Sequence, residues 1–182
     1  MPAAPGIIDL GKFRVAYEEA RERPSDGTDG YFLQQRALIR LNEDLVKIAR
    51  PEDCTVLCDE ANFKNGSRNR PSPLQYFIAS IGFCMYSQMS RFAARLEVPL
   101  GDAQMDLCMT YDLRTKSRLN DMATAAQALN YRFDLESTAP LERVIRLAQL
   151  TDKGCHTVNS MRNRLPVTSQ WVYNGRGFDI ND

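Results

Sequence analysis

The chain has 182 residues, 43% of them hydrophobic and 25% charged, and its 23 basic and 23 acidic side chains cancel to zero net charge. That length suits one domain with a sizeable core, and the charge balance supplies no global basic field to hold a nucleic-acid backbone. No apolar run reaches the roughly 20 residues that span a bilayer, and residues 1–10 are too short and too weakly apolar for a secretory leader. The expectation is a cytoplasmic protein with neither nucleic acid nor membrane as partner.

In chain order, residues 9–23 read as a short, charged amphipathic helix, and Pro24 to Gly30 as a loop rich in breakers. Residues 1–30 are therefore expected as a helix and linker attached to a single domain over residues 31–182. From Tyr31 the pattern turns to strands. Ala37, Ile39 and Leu41 alternate with polar neighbours, Asn42-Glu43-Asp44 suits a turn, Val46 and Ile48 alternate again, and Thr55 to Cys58 gives a third short strand. A polar loop from Asn62 to Arg70 follows.

Ser72 can cap a helix and Pro73 fits its first turn, so a helix is expected from Leu74 to about Leu96, ahead of Pro99. Tyr76, Phe77, Ile78, Ala79, Ile81, Phe83, Met85 and Tyr86 make its first two-thirds apolar nearly all round, which predicts a central helix buried on every side. Two strands come next. Gln104 to Leu113 places Met105, Leu107, Met109, Tyr111 and Leu113 on one face, and Ala128 to Glu136 does the same with Leu129, Tyr131, Phe133 and Leu135. Between them, Arg114 to Thr124 reads as a polar, mobile connection. A second helix is expected from Pro140 to Leu150, broken at Lys153-Gly154, with one or two further turns from Cys155 to Arg162 and a closing strand from Val167 to Tyr173. The class is α+β, with antiparallel sheets packed against two main helices.

Five cysteines, Cys54, Cys58, Cys84, Cys108 and Cys155, are an odd and scattered set that argues against a disulfide framework. The one histidine is His156, and no CxxC or HxxxH pair occurs, so neither a metal nor a cofactor is expected. A cysteine in the middle of an apolar helix, such as Cys84, is ordinarily an inert core residue. Cys54, Cys58 and Cys108 receive no role. Cys155 differs because it follows a glycine at a helix break, where the N–H groups of a new helix favour a thiolate. His156 is its neighbour, but adjacent helical residues point about 100° apart, so the two need not touch.

The run Ser72-Pro-Leu-Gln-Tyr-Phe-Ile-Ala-Ser-Ile-Gly-Phe-Cys84 resembles the signature of the OsmC/Ohr family, in which Ser/Asn-Pro opens a buried helix carrying a cysteine. Leu150-Thr-Asp-Lys-Gly-Cys155, followed by the segment to Pro166 and a closing strand, is similar to the tail of that family. The resemblance covers about Tyr31 to Gly175. It implies an OsmC-like fold, an intertwined homodimer, and a thiol peroxidase that reduces organic hydroperoxides. By position Cys84 would be the peroxidatic cysteine and Cys155 the resolving one, with a lipoyl-type dithiol as reductant.

A pocket lined by Tyr76, Phe77, Met85, Tyr86 and His156 would suit a small apolar or aromatic substrate. A thiol in such surroundings needs a cation to lower its pKa, and Arg36, Arg40, Lys47, Arg50, Arg68 and Arg70 are the candidates in sequence. The chain departs from the family in carrying Leu74 where a glutamate usually holds that arginine, and His156 where proline usually follows the second cysteine. Two alternatives use the same pocket. One is a cofactor-free hydrolase or lyase that recruits His156, and the other is a protein that binds a small apolar ligand.

Overall fold

A computed structural model describes residues 6–21, 34–41, 46–60, 70–111, 125–163, 165–173 and 175–178. The elements in order are α1 (Leu10–Arg21), β1 (Ala37–Leu41), β2 (Lys47–Pro51), β3 (Val56–Cys58), α2 (Pro73–Leu96), β4 (Leu100–Tyr111), β5 (Ala126–Ser137), α3 (Leu141–Gly154), α4 (His156–Arg162), β6 (Trp171–Tyr173) and β7 (Arg176–Phe178). The expected Asn42-Glu43-Asp44 turn, most of the Asn62–Arg70 loop and the Arg114–Thr124 connection lie outside the described residues.

α2 organises the rest. Its start is fixed by a reciprocal capping box, in which the Gln75 N–H donates to Ser72 Oγ at 3.4 Å and the Ser72 N–H donates to Gln75 Oε1 at 2.8 Å. Pro73 occupies the first turn, where its missing N–H costs nothing. At the far end Glu97 adopts a left-handed conformation and Arg14 Nη1 of α1 meets its carboxylate at 3.2 Å. α1 thereby docks on the end of α2, and the Ile7 N–H donates to the Leu100 carbonyl at 2.8 Å.

β4 and β5 form an antiparallel pair with Met105 opposite Phe133 and Leu107 opposite Tyr131. Along both strands half-buried and exposed positions alternate, as the period-two pattern demands, and Cys108 falls on the exposed face. The apolar face of this pair packs on α2 as two clusters. Met89, Ala93, Val98, Leu100 and Leu147 fill one end. Ile81, Met85, Cys155 and Val158 fill the other, against Cys84, Met105, Leu107, Met109, Leu129, Tyr131 and Phe133. Gly82 lets the sheet approach closely, since a Cβ there would stand 3.2 Å from Leu107 Cδ1. β1, β2 and β3 make a separate antiparallel sheet, and β6 pairs with β7 as a hairpin.

The structure corrects the sequence reading in three places. Among the described residues α2 is not covered on every side: Phe83 is 71% exposed, and Phe77 and Leu74 are exposed as well, although β4 and the helices α1, α3 and α4 all pack on it. α3 runs on through Gly154 rather than stopping near Leu150. The closing strand is shorter than Val167–Tyr173 and is joined by a second strand, with Gly175 at φ 80° in the turn between them.

Thr151 is buried in α3 and its hydroxyl has no hydrogen-bond partner among the described residues. Thr151→Val keeps the shape and removes the unmet donor, so it is expected to raise the unfolding free energy by about 1 kcal/mol in urea titration. A loss of stability of that size would show instead that the hydroxyl is bonded.

Candidate active site

The site forms where α2, α3 and α4 meet. α3 and α4 are separated by a single residue, Cys155, which is extended at φ −73°, ψ 109° and serves as N-cap of α4. A helix beginning here leaves its first N–H groups without intrahelical partners. Cys155 is fully buried, whereas Cys84, one helical turn below Gln88 on α2, is half-buried.

Cys84 packs against the buried cluster that holds Cys155. Burial pushes the Cys84 thiol up, and it is outweighed by donors from α4 and its cap: the Thr157 N–H, the Thr157 hydroxyl, the Cys155 thiol and the His156 N–H. The net result is a Cys84 pKa below the ordinary thiol value. Among the described residues of one chain, none of these leading influences is a charged side chain. Of the basic candidates, Lys47 is paired with Glu60 at 3.1 Å and Arg68 lies outside the described residues. Thr157 Oγ1 also stands 3.2 Å from Cys155 Sγ, so one hydroxyl touches both sulfurs.

The remaining pocket candidates are distributed unevenly. Met85 is buried in the cluster with Cys155. Phe77, two turns before Cys84, is exposed. Tyr76 donates its hydroxyl to the Leu57 carbonyl at 2.7 Å, toward β3. Tyr86 donates to the Ala103 carbonyl at 2.8 Å and packs edge-on against Phe133, at the other end of the core. His156 is exposed, and its Nδ1 lies 3.4 Å from Nε2 of the buried Gln88 rather than against a cysteine. Met85 is thus packed with the Cys155 cluster, while the side chains of His156, Tyr76 and Tyr86 are directed elsewhere. Cys54 and Cys108 are exposed; burial pushes the Cys58 thiol up.

Several residues that the sequence reading passed over shape the site. Gly154 abuts α2 so closely that a Cβ would stand 2.7 Å from Phe92 Cε2. Asn159 Nδ2 donates to the carbonyls of Lys153 and Cys155 at 2.9 and 2.8 Å, satisfying acceptors at the end of α3 and at the junction. Asp152 receives both guanidinium nitrogens of Arg162, at 2.7 and 2.9 Å, and the hydroxyl of Tyr131. Those donors hold the Asp152 carboxyl below its usual range, with Arg162 the larger influence, and push Arg162 further above its own. Burial and then Asp152 push Tyr131 up. The Thr157 signal was legible only as a hydroxyl two residues after a candidate cysteine. Asp152, Arg162 and Tyr131 are polar residues on three elements, which no local spacing connects.

Among the described residues, no cluster of His, Cys, Asp and Glu suited to a metal ion occurs, and no helix is long and apolar enough to cross a membrane. The chemistry open to the arrangement is that of a nucleophilic thiolate with a second thiol beside it.

Comparison with known proteins agrees with this architecture. The family model described as OsmC-like protein matches residues 65–170, more than half of the chain, and spans both cysteines. Among solved structures, an OsmC-like protein from Mycoplasma pneumoniae superposes with a TM-score of 0.61 at 14% identity, covering 72% of this chain and 89% of that one. An OsmC-like hydroperoxide resistance protein from Jannaschia sp. gives 0.52 at 18% identity, covering 78% and 93%. An organic hydroperoxide resistance protein OsmC from Legionella pneumophila gives 0.50 at 16% identity, covering 72% and 90%. No curated protein matches the sequence.

Gly154→Val is expected to force the helix junction away from Phe92 and to lower the unfolding free energy by about 1–3 kcal/mol. Combining it with Phe92→Leu should recover part of that loss. Additive losses in the double variant would show that the two residues do not meet.

Proposed function

The chain belongs to the OsmC-like protein family, and from that premise we propose that it is a thiol peroxidase reducing organic hydroperoxides through Cys84 and Cys155. The observation that carries the reading is the packing of Cys84 against the cluster that holds Cys155 at the start of α4, and the direction of the Cys84 pKa, below that of an ordinary thiol, supports it. The similarity in fold to proteins named for hydroperoxide resistance supports the choice of substrate class.

The reaction balances with one dithiol as reductant. The Cys84 thiolate attacks the terminal oxygen of ROOH, so an S–O bond forms, the O–O bond breaks, and RO⁻ leaves and takes a proton as the alcohol. Cys84 is then a sulfenic acid. Cys155 sulfur attacks it, the S–S bond forms, and the departing hydroxide takes the Cys155 proton as water. Two thiol–disulfide exchanges with a lipoyl-type dithiol restore both thiols and leave the dithiol oxidised. The half-buried Cys84 fits the attacking role, and the fully buried Cys155, protected from peroxide, fits the resolving one. The half-buried Met105, Leu107, Met109 and Leu129, packed like Cys84 against the Cys155 cluster, make the surroundings of the site apolar, which favours an alkyl or aryl hydroperoxide over hydrogen peroxide.

In this reading the working unit is a homodimer in the cytoplasm. A second copy would cover the side of α2 that carries Phe77 and Phe83, together with the exposed Leu38, Ile39 and Leu41 of β1 and the Trp171–Tyr173 strand.

One equivalent of cumene hydroperoxide added to the reduced protein should yield an intrachain Cys84–Cys155 disulfide by mass spectrometry. Cys155→Ser should stop at a Cys84 sulfenic acid trapped by dimedone, and Cys84→Ser should consume no peroxide. Peroxide left intact beside two free thiols would rule the reading out.

A further inference from the structure

Asp152, Arg162 and Tyr131 form a closed polar network at the back of the site. Arg162 is the last residue of α4 and Asp152 lies in the last turn of α3, so their bidentate pair ties the end of one helix to the end of the other across the Cys155 junction. Tyr131 of β5 adds its hydroxyl to the same carboxylate and packs with its ring in the cluster that holds Cys84 and Cys155. α4 is only seven residues long and makes few contacts with α2, so its packing alone fixes its direction weakly.

We propose that Arg162 is a positioning residue: through Asp152 and Tyr131 it aims the first turn of α4 at the Cys84 sulfur. The inference rests on the thiol chemistry proposed above for its relevance to turnover, but its geometry stands apart from it. A fork of two nitrogens on two carboxylate oxygens fixes orientation as well as distance, which a single contact cannot do. Releasing it lets α4 pivot about Cys155. The His156 and Thr157 N–H groups and the Thr157 hydroxyl then swing off the sulfur together. Asn159, whose side chain grips the junction carbonyls, holds the near end of α4 but not its far end. Among the described residues, the titratable side chains in the same cluster as Cys84 are Cys155 and Tyr131, and the exposed His156 follows Cys155.

The test is the pH dependence of Cys84 alkylation by iodoacetamide in the full chain, read residue by residue with mass spectrometry. Arg162→Ala should raise the midpoint for Cys84 by about one pH unit, a tenfold fall in the acid constant. Arg162→Lys, which keeps the charge but not the fork, should restore only part of it. Tyr131→Phe changes no charge at neutral pH and should move the midpoint the same way by less, so it carries the test if Arg162→Ala does not fold. Arg132→Ala breaks an ion pair on the exposed face of β5 and should leave the midpoint unchanged. Wild-type midpoints in both Arg162→Ala and Tyr131→Phe would overturn the proposal, as would an equal shift in Arg132→Ala. Alkylation needs no peroxide, so the two readings fail separately. A shifted midpoint in a protein inert to hydroperoxide would sink the peroxidase and keep the clamp, and active protein with unshifted midpoints would sink the clamp alone.

Discussion

The opening turn of α4 lies beside Cys84 and favours its ionised form because a single extended residue, Cys155, divides one helix from the next. A helix start must place its unpaired donors somewhere, and here two of them are spent on a thiol. The same residue that breaks the helix carries the second thiol of the cluster against which Cys84 packs. Gly154 permits it by letting the junction press against Phe92, and Asn159 closes the carbonyls that the break leaves open. Thr157 adds a hydroxyl that reaches both sulfurs.

A thiol lowered by helix donors differs from one lowered by a salt bridge. Peptide dipoles need no partner to neutralise them and do not ionise, so the effect persists over the whole working pH range. Its weakness is directional: a hydrogen bond to sulfur is lost by a small rotation of a short helix. The buried cluster of Ile81, Met85, Cys155 and Val158 supplies packing, and the polar ties at the ends of α3 and α4 supply direction. Fold and chemistry therefore share the same few residues.

Much of this was legible in the sequence wherever local rules operate. The Ser72-Pro-Leu-Gln75 start encodes its own capping box, and the alternation through Met105–Tyr111 and Leu129–Leu135 fixes the inward faces and puts Cys108 outside. The glycine before Cys155 announced a new helix start. Tertiary contacts decided the rest. α3 continues through Gly154 because close packing on Phe92 offsets the residue's poor helix propensity. The apolar girth of α2 reads as complete burial only if a second surface is counted, and one chain leaves Phe83 bare. Backbone donors, which every sequence carries unseen, are among the influences that lower the Cys84 pKa. Asp152 and Arg162, ten residues apart, and Tyr131 on another strand become a unit only in three dimensions.

The central claim is that the His156 and Thr157 N–H groups bond to the Cys84 sulfur and favour its ionised form. Amide proton and nitrogen shifts of those two residues, followed by NMR across pH in the reduced protein, test it directly. Both amides should move downfield in a single step as the thiol ionises, with a midpoint below the roughly 8.5 of a free cysteine. Amides that do not titrate, or a step at or above that value, would contradict the account.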